Sequence, residues 1–251
     1  MIIAKFSFKK VLDRVFRQYG YELNKLEKRE NDFNYQLLLQ KKNPVIFDVG
    51  ANQGQSIRRF KTIFQNPQIY SFEPTPELSV KLTQAFVQDK DVTIIPKAVS
   101  DKKGKLTFNM YDTKEAGVGN SIHNLNPNYA AKLLGTEEVE AITLGDYCTN
   151  NNISKIDILK IDVQGHEPEV LKGAEPVLRN GGIKIIELEM MFDYTYDRSL
   201  TFLDIEQILQ PFGFKLFAIP VIRRIGLGKL SWLDAVYVNE EVYNANTING
   251  R

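Results

Sequence analysis

The chain is poor in the residues from which several kinds of site are built. Its 251 residues include one cysteine, Cys148, one tryptophan and two histidines, His123 and His166. A lone thiol excludes an internal disulfide framework and any thiolate-based metal cluster. No run of about 18 apolar residues is present, so nothing reads as a membrane-spanning helix. Lys5, Lys9 and Lys10 break up the apolar N-terminus, which also lacks a small-residue cleavage site. It does not read as a signal peptide, and a cytoplasmic location is expected. An excess of one charge is missing too. Thirty-two Lys+Arg against 31 Asp+Glu leave +1, which offers nucleic acid no general attraction.

What is present is ordinary for a globular protein. At 43% hydrophobic and 25% charged residues, collagen-like, low-complexity and wholly disordered readings are excluded. The length suits one large domain, or a core with an appended segment. The near-zero charge conceals a division. Residues 1–43 hold ten Lys+Arg and five Asp+Glu, whereas the remaining 208 hold 22 and 26. Phe8, Val11, Leu12, Val15, Phe16 and Tyr19 recur at three- and four-residue spacings, the pattern of one helical face. Lys9, Lys10, Arg14 and Arg17 lie off that stripe. The expected organisation is a basic helical extension over 1–43 and an acidic domain over 44–251. The extension reads as a lid over the core or as a peripheral contact with an anionic membrane. Homo-oligomerisation is compatible with the sequence.

From Pro44 onward, short apolar runs alternate with helical patterns. Strands are expected over 45–50, 68–73, 92–95, 105–110, 139–142, 156–162, 183–190, 214–219 and 233–238. Helices are expected over 53–64, 76–87, 167–175 and 201–210. Such alternation builds an α/β fold: a doubly wound, mainly parallel sheet covered by helices on both faces. The last two strands, joined through Gly226 and Gly228, read as an antiparallel terminal hairpin.

Asp48-Val49-Gly50-Ala51-Asn52-Gln53-Gly54 follows the first strand and precedes a helix. Gly50 and Gly54 allow a sharp turn and a close approach to a ligand. Glu73 ends the next strand, where a carboxylate accepts hydrogen bonds from a ribose diol, and Pro74 stops that strand. Asn52 stands where the second glycine of G-x-G-x-x-G would admit a pyrophosphate, and no P-loop run exists. The loop thus keeps a ribose reader, loses a diphosphate reader and gains an acid. S-adenosylmethionine fits that exchange, being an adenosine without phosphate and with a cationic tail. A plain tight turn is the competing reading of the glycine pair alone.

Lys160-Ile161-Asp162-Val163-Gln164-Gly165-His166-Glu167 repeats the logic of strand, acid and glycine turn. The first and fourth strands of a doubly wound sheet flank the crevice at its switch point. Asp48 and Asp162 are therefore expected to face that crevice and to flank a sulfonium and an ammonium. His166 stands just beyond the turn, within reach of a substrate hydroxyl. Asp162 as a helix cap and His166 as a surface residue are the alternatives. Glu187 and Glu189 are expected on opposite faces of the next strand, one at the site and one paired with a helix.

The DVGANQG loop, the SFEP around Glu73, Ala98-Val99-Ser100-Asp101, the run from Lys160 to Glu167 and Val170-Leu171-Lys172-Gly173-Ala174 together resemble the FkbM-type methyltransferases. The resemblance covers about Pro44 to Val238, with the motifs in the family's order. It implies a class I, Rossmann-like fold with a seven-stranded sheet, S-adenosylmethionine as methyl donor, and O-methylation, often of glycan or secondary-metabolite hydroxyls. It would place Asp48, Gly50, Ala51, Asn52 and Gly54 around the methionine moiety, with Glu73 and Pro74 at the ribose. Ala98, Val99, Ser100 and Asp101 would lie near the adenine, and Asp162 near the amine or the acceptor. The family commonly has Glu where this chain has Gln164, so that position is given no catalytic role.

Methyl transfer from a sulfonium requires an acceptor oxygen held in line with the methyl and shielded from water. A hydroxyl is a poor nucleophile until its proton leaves, and the candidates for general base are ranked His166, Asp162, then Glu189. His123 reads first as a surface loop residue. Asp162 with Glu189 is the one pair considered for Mg²⁺, and without a tight ligand cluster no metal is expected. Cys148 reads as core packing. Arg223, Arg224 and Lys229, in the connection of the late hairpin, read as solvated rather than as a grip on an anionic acceptor. Two rival functions stand beside the methyltransferase. One is a nicotinamide-dependent oxidoreductase, weakened by the missing second glycine; the other is a non-catalytic adenosyl-binding module.

Overall fold

Apolar, β-branched runs punctuated by glycine turns become the buried strands of one twisted sheet. The computed structural model describes residues 34–112, 120–127, 131–192, 196–197 and 200–247. The amphipathic stripe from Phe8 to Tyr19 lies outside the described residues. A compact unit runs Asn34–Arg251. In chain order its elements are α1 (Tyr35–Leu39), β1 (Val45–Val49), α2 (Gln55–Ile63), β2 (Gln68–Phe72), α3 (Pro76–Ala85), β3 (Val92–Ile95), β4 (Ala98–Val99), β5 (Gly104–Asp112), β6 (Lys132–Ile142) and α4 (Leu144–Asn150). There follow β7 (Ile156–Ile161), α5 (Glu167–Gly173), α6 (Glu175–Arg179), β8 (Ile183–Met191), α7 (Phe202–Leu209), β9 (Lys215–Ile225), β10 (Lys229–Val238) and α8 (Glu240–Thr247).

The main sheet has seven strands in the order β3-β2-β1-β7-β8-β10-β9. The first five are parallel, while β10 runs antiparallel to both β8 and β9. This is the expected doubly wound sheet with a terminal hairpin, a class I methyltransferase fold. β7 is buried at all six positions, as a central parallel strand covered on both faces must be. Phe47, Phe72 and Tyr147 pack edge to face beneath the first strands, with the Phe72 and Tyr147 ring centres 5.0 Å apart. Cys148 belongs to that layer, buried, with its thiol pushed up to about 11 by burial. It is a packing residue, as its sequence context suggested.

Four expectations change. The strands over 105–110 and 139–142 are longer than their apolar positions indicated, and they join β4 in a separate three-stranded sheet of order β4-β6-β5. Residues 132–138 of β6 are exposed throughout, so no buried face imposed a pattern. The helix expected over 167–175 ends at Gly173, and a further short helix, Glu175–Arg179, follows it, with Pro176 removing a backbone donor near the break. Arg223 and Arg224 lie within β9 and Lys229 opens β10, all three exposed, so they belong to strands rather than to a connecting loop. Glu187 and Glu189, two residues apart on a strand, share a face rather than opposing each other.

Candidate active site

The sheet order places the switch point between β1 and β7, and a cavity of about 300 Å³ opens there. After β1 the backbone N–H groups of Gly50 and Ala51 both donate to the carbonyl of Phe72, at 3.0 and 3.1 Å. That folds the loop over the end of β2. Gly50 has φ +86°, and a Cβ there would lie 1.9 Å from the carbonyl oxygen of Asp162. Only glycine lets the two acidic strand ends come this close. Glu73, buried, accepts the Asn52 N–H at one carboxylate oxygen and the Thr75 N–H at the other, both at 2.8 Å. Burial pushes its proton affinity up, and the two backbone donors work against that push. Each oxygen keeps a second lone pair. The Asn52 side-chain oxygen is buried in the same wall without a hydrogen-bond partner among the described residues.

The opposite wall is an acidic pair bridged by an amide. The Gln164 Nε2 donates to Asp162 at 3.0 Å and to Glu189 at 2.9 Å. Its Oε1 accepts the Tyr196 hydroxyl at 2.9 Å, and its carbonyl accepts the Ser121 hydroxyl at 2.8 Å. These bonds hold Gln164 at φ +57°, a left-handed conformation that costs a side-chain-bearing residue energy. Lys160, buried in β7, places its ammonium 3.1 Å from Asp162 and 3.6 Å from Asp48. Burial alone would favour its neutral form, but Asp162 and Asp48 outweigh it and keep the ammonium charged. For Asp162, burial is likewise outweighed by Lys160 and Gln164, and its carboxyl is held below the usual range. Glu189 goes the other way: burial, then the charges of Asp162 and Asp234, push it well above that range. The two carboxyls, bridged by one amide, are thus pushed in opposite directions, and Glu189 holds its proton more tightly than Asp162.

The structure brings most of the sequence-derived residues to one cavity. Gly50, Ala51, Asn52, Glu73, Pro74, Ala98, Val99, Asp162, His166 and Glu189 all line it. Asp48, Gly54, Ser100 and Asp101 do not. Asp48 is fully buried one position before the strand end, accepting the Ser71 hydroxyl at 3.2 Å and facing Lys160. Gly54 starts α2, packed against Leu82. Ser100 turns its hydroxyl to Asp101 and His166, at 3.1 and 3.0 Å. Asp101 itself is exposed. Thus Asp48 supports the charge of Lys160 from behind the wall, second to Asp162.

His166 lines the cavity from the turn that opens α5. Nε2 meets the Ser100 hydroxyl and Nδ1 lies 3.6 Å from Glu169. Asp162, on the same cavity, has its side chain one-third exposed. Ser100 is held from a second direction, since a Cβ at Gly173 would lie 2.1 Å from its carbonyl oxygen. The glycine of the VLKGA run is thus needed for α5 to pack on this segment. Sequence reasoning missed Lys160, Gln164 and Tyr196. A lysine inside an apolar strand was the one signal available.

A family model described as the methyltransferase FkbM domain matches residues 48–216. The chain belongs to the FkbM methyltransferase family. That membership sets aside the nicotinamide-dependent reading. Two curated relatives are similar to it. One is the 2-O-methyltransferase NoeI of Sinorhizobium fredii, 30% identical over 56% of this chain. The other is the hexuronic acid methyltransferase AglP of Haloferax volcanii, 26% identical over 62% of this chain. The chain spans 61% and 62% of the lengths of these relatives. Among solved structures, a precorrin-6y C5,15-methyltransferase from Geobacter metallireducens is 13% identical at TM-score 0.45, covering 85% of this chain and 89% of that one. No described helix of the FkbM chain is long and apolar enough to cross a membrane.

Proposed function

We propose that the protein is an S-adenosylmethionine-dependent O-methyltransferase acting on a sugar hydroxyl of a glycan or related metabolite. The observation that carries this reading is one cavity with a backbone-clamped carboxylate, Glu73, at one end and an ionised carboxylate, Asp162, at the other. The wall fits the donor. Glu73 has acceptor capacity to spare for a ribose diol, the buried Asn52 oxygen calls for a donor, and the glycine cradle at Gly50 brings the backbone close. Ala98 and Val99 offer an apolar face for a base. When bound, the donor supplies a methyl group already activated on sulfur.

The protein's own residues then orient the acceptor and take its proton. A second hollow of about 230 Å³ shares Lys160, Asp162 and Glu189 with the cavity and adds Arg59, Trp232 and Asp234. An indole beside carboxylates and a guanidinium is a surface suited to a pyranose, whose C–H face stacks while its hydroxyls hydrogen-bond. Asp162 accepts the acceptor's hydroxyl proton. Its low proton affinity is no obstacle, because an alcohol oxygen becomes strongly acidic as its bond to carbon forms. The Gln164 amide, shared with Glu189, holds Asp162 in place. The names of the two relatives, a 2-O-methyltransferase and a hexuronic acid methyltransferase, favour a sugar acceptor.

The test is acceptor-dependent release of S-adenosylhomocysteine across a panel of hexoses, uronates and lipid-linked glycans. Turnover with a sugar and none with catechols or protein supports the proposal. Tight binding of the donor with no acceptor-dependent release would leave an adenosyl-binding module instead.

A further inference from the structure

The two histidines of the chain, 43 positions apart, meet in the fold. Their ring centres are 5.6 Å apart. His123 comes from the 120–127 segment and His166 from the turn that opens α5. Glu169, three residues into α5, faces the same point. One ligand-type atom from each of the three lies within 4.8 Å of the others. His166 Nδ1, His123 Nε2 and Glu169 Oε2 are all buried atoms. Each ring also meets a second, orienting group: the Ser100 hydroxyl at 3.0 Å from His166 Nε2, and the Asp197 carboxylate at 3.7 Å from His123 Nδ1. A ligating histidine characteristically meets such a partner at its other nitrogen, which sets its tautomer and ring angle.

We propose that His123, His166 and Glu169 form a binding site for a divalent zinc-type cation that braces the cavity wall. Two imidazoles and one carboxylate suit Zn²⁺, whereas Mg²⁺ and Ca²⁺ prefer all-oxygen sets. Ligands of a tetrahedral zinc lie roughly 3.4 Å apart, so the group contracts by about 1 Å on binding. The site joins two parts of the cavity that the backbone leaves separate. Asn120 and Ile122, just before His123, line the cavity, and so does the turn from Asp162 to His166. Segment 120–125 is held to β5 through paired backbone bonds between Ser121 and Asn109 and through Asn109 Nδ2 donating to the His123 carbonyl at 3.2 Å, and to the turn before α5 through the Ser121 hydroxyl donating to the Gln164 carbonyl at 2.8 Å. An ion at the three side chains ties that segment to α5.

The test uses the untagged full-length chain, stripped with a chelator and dialysed against Zn²⁺ or Co²⁺ without donor or acceptor. One equivalent of metal, visible Co²⁺ absorption bands and a raised thermal midpoint are expected. His123→Ala and Glu169→Gln should weaken Zn²⁺ binding at least about 100-fold, and Asp197→Asn about tenfold. Far-UV circular dichroism checks the fold. Should His123→Ala fail to fold, the near-isosteric Glu169→Gln and the surface Asp197→Asn decide the matter. No stoichiometric uptake by the wild type, or uptake unchanged in folded variants, would overturn the proposal.

Discussion

The two ends of the cavity present carboxylates held in opposite ways. At the β1–β2 end, Glu73 is gripped by the backbone N–H groups of Asn52 and Thr75. At the β7–β8 end, Asp162 and Glu189 are gripped by the side chains of Lys160 and Gln164, which are themselves held by Asp48 and Tyr196. Backbone donors have a fixed position and charge, which suits a ligand that never varies. Side-chain donors let neighbours decide which carboxylate carries the proton, which suits chemistry.

The comparison breaks most visibly at Asp162. In Asp162→Asn, turnover should fall about 10²–10⁴-fold while donor affinity by calorimetry changes far less. An equal loss of both would mean that the β7–β8 end serves the donor too. Next comes Lys160→Met, which takes from buried Asp48 its main opposing charge. Unfolding in urea should show a loss of about 3–5 kcal/mol, partly relieved by a second change, Asp48→Asn. A loss of similar size in the double variant would deny the ion pair its role.

Glu73→Gln should weaken donor binding by roughly 10–100-fold, the worth of a charged hydrogen bond, and leave turnover at saturation nearly intact. A large fall in saturated turnover instead would erase the division between the two ends. The smallest effect concerns Asp234, pushed up to about 7 by burial, then by Glu187 and Asp162. Its proton is bound more tightly in the folded chain than in the unfolded one. Its contribution to stability is thus complete below about pH 4 and is lost as pH rises to about 7. The loss should amount to about 2 kcal/mol once solvent screening is allowed for. Urea unfolding of wild type and Asp234→Asn across that window checks this, and parallel pH profiles would refute it.

Much of the fold was legible because each strand of the parallel sheet must be apolar and end at a turn. Glu73 and Asp162 were legible for the same reason: an acid at the end of a buried strand has few structural uses. His166 was legible as a residue of the cavity, but its surroundings were not. The groups that face its nitrogens, Ser100 at 3.0 Å and Glu169 at 3.6 Å, come from β4's end and from one helical turn away. Asp48 looked identical in context to Asp162. A register in which Asp48 pairs with Lys160, and Val49 with Ile161, buries the first and leaves the second at the rim.

The sequence by itself determined the class of sheet, the glycine turn that spares no room for a side chain, and the two acids at strand ends. These follow from local rules of burial, periodicity and turn geometry. Only the tertiary structure decided which acid holds its proton more tightly. It also made Gln164 the bridge between two carboxylates and brought together two histidines 43 residues apart. Proton affinity and ligand geometry depend on distances of a few ångströms between residues remote in sequence, and those distances exist only once the sheet has closed.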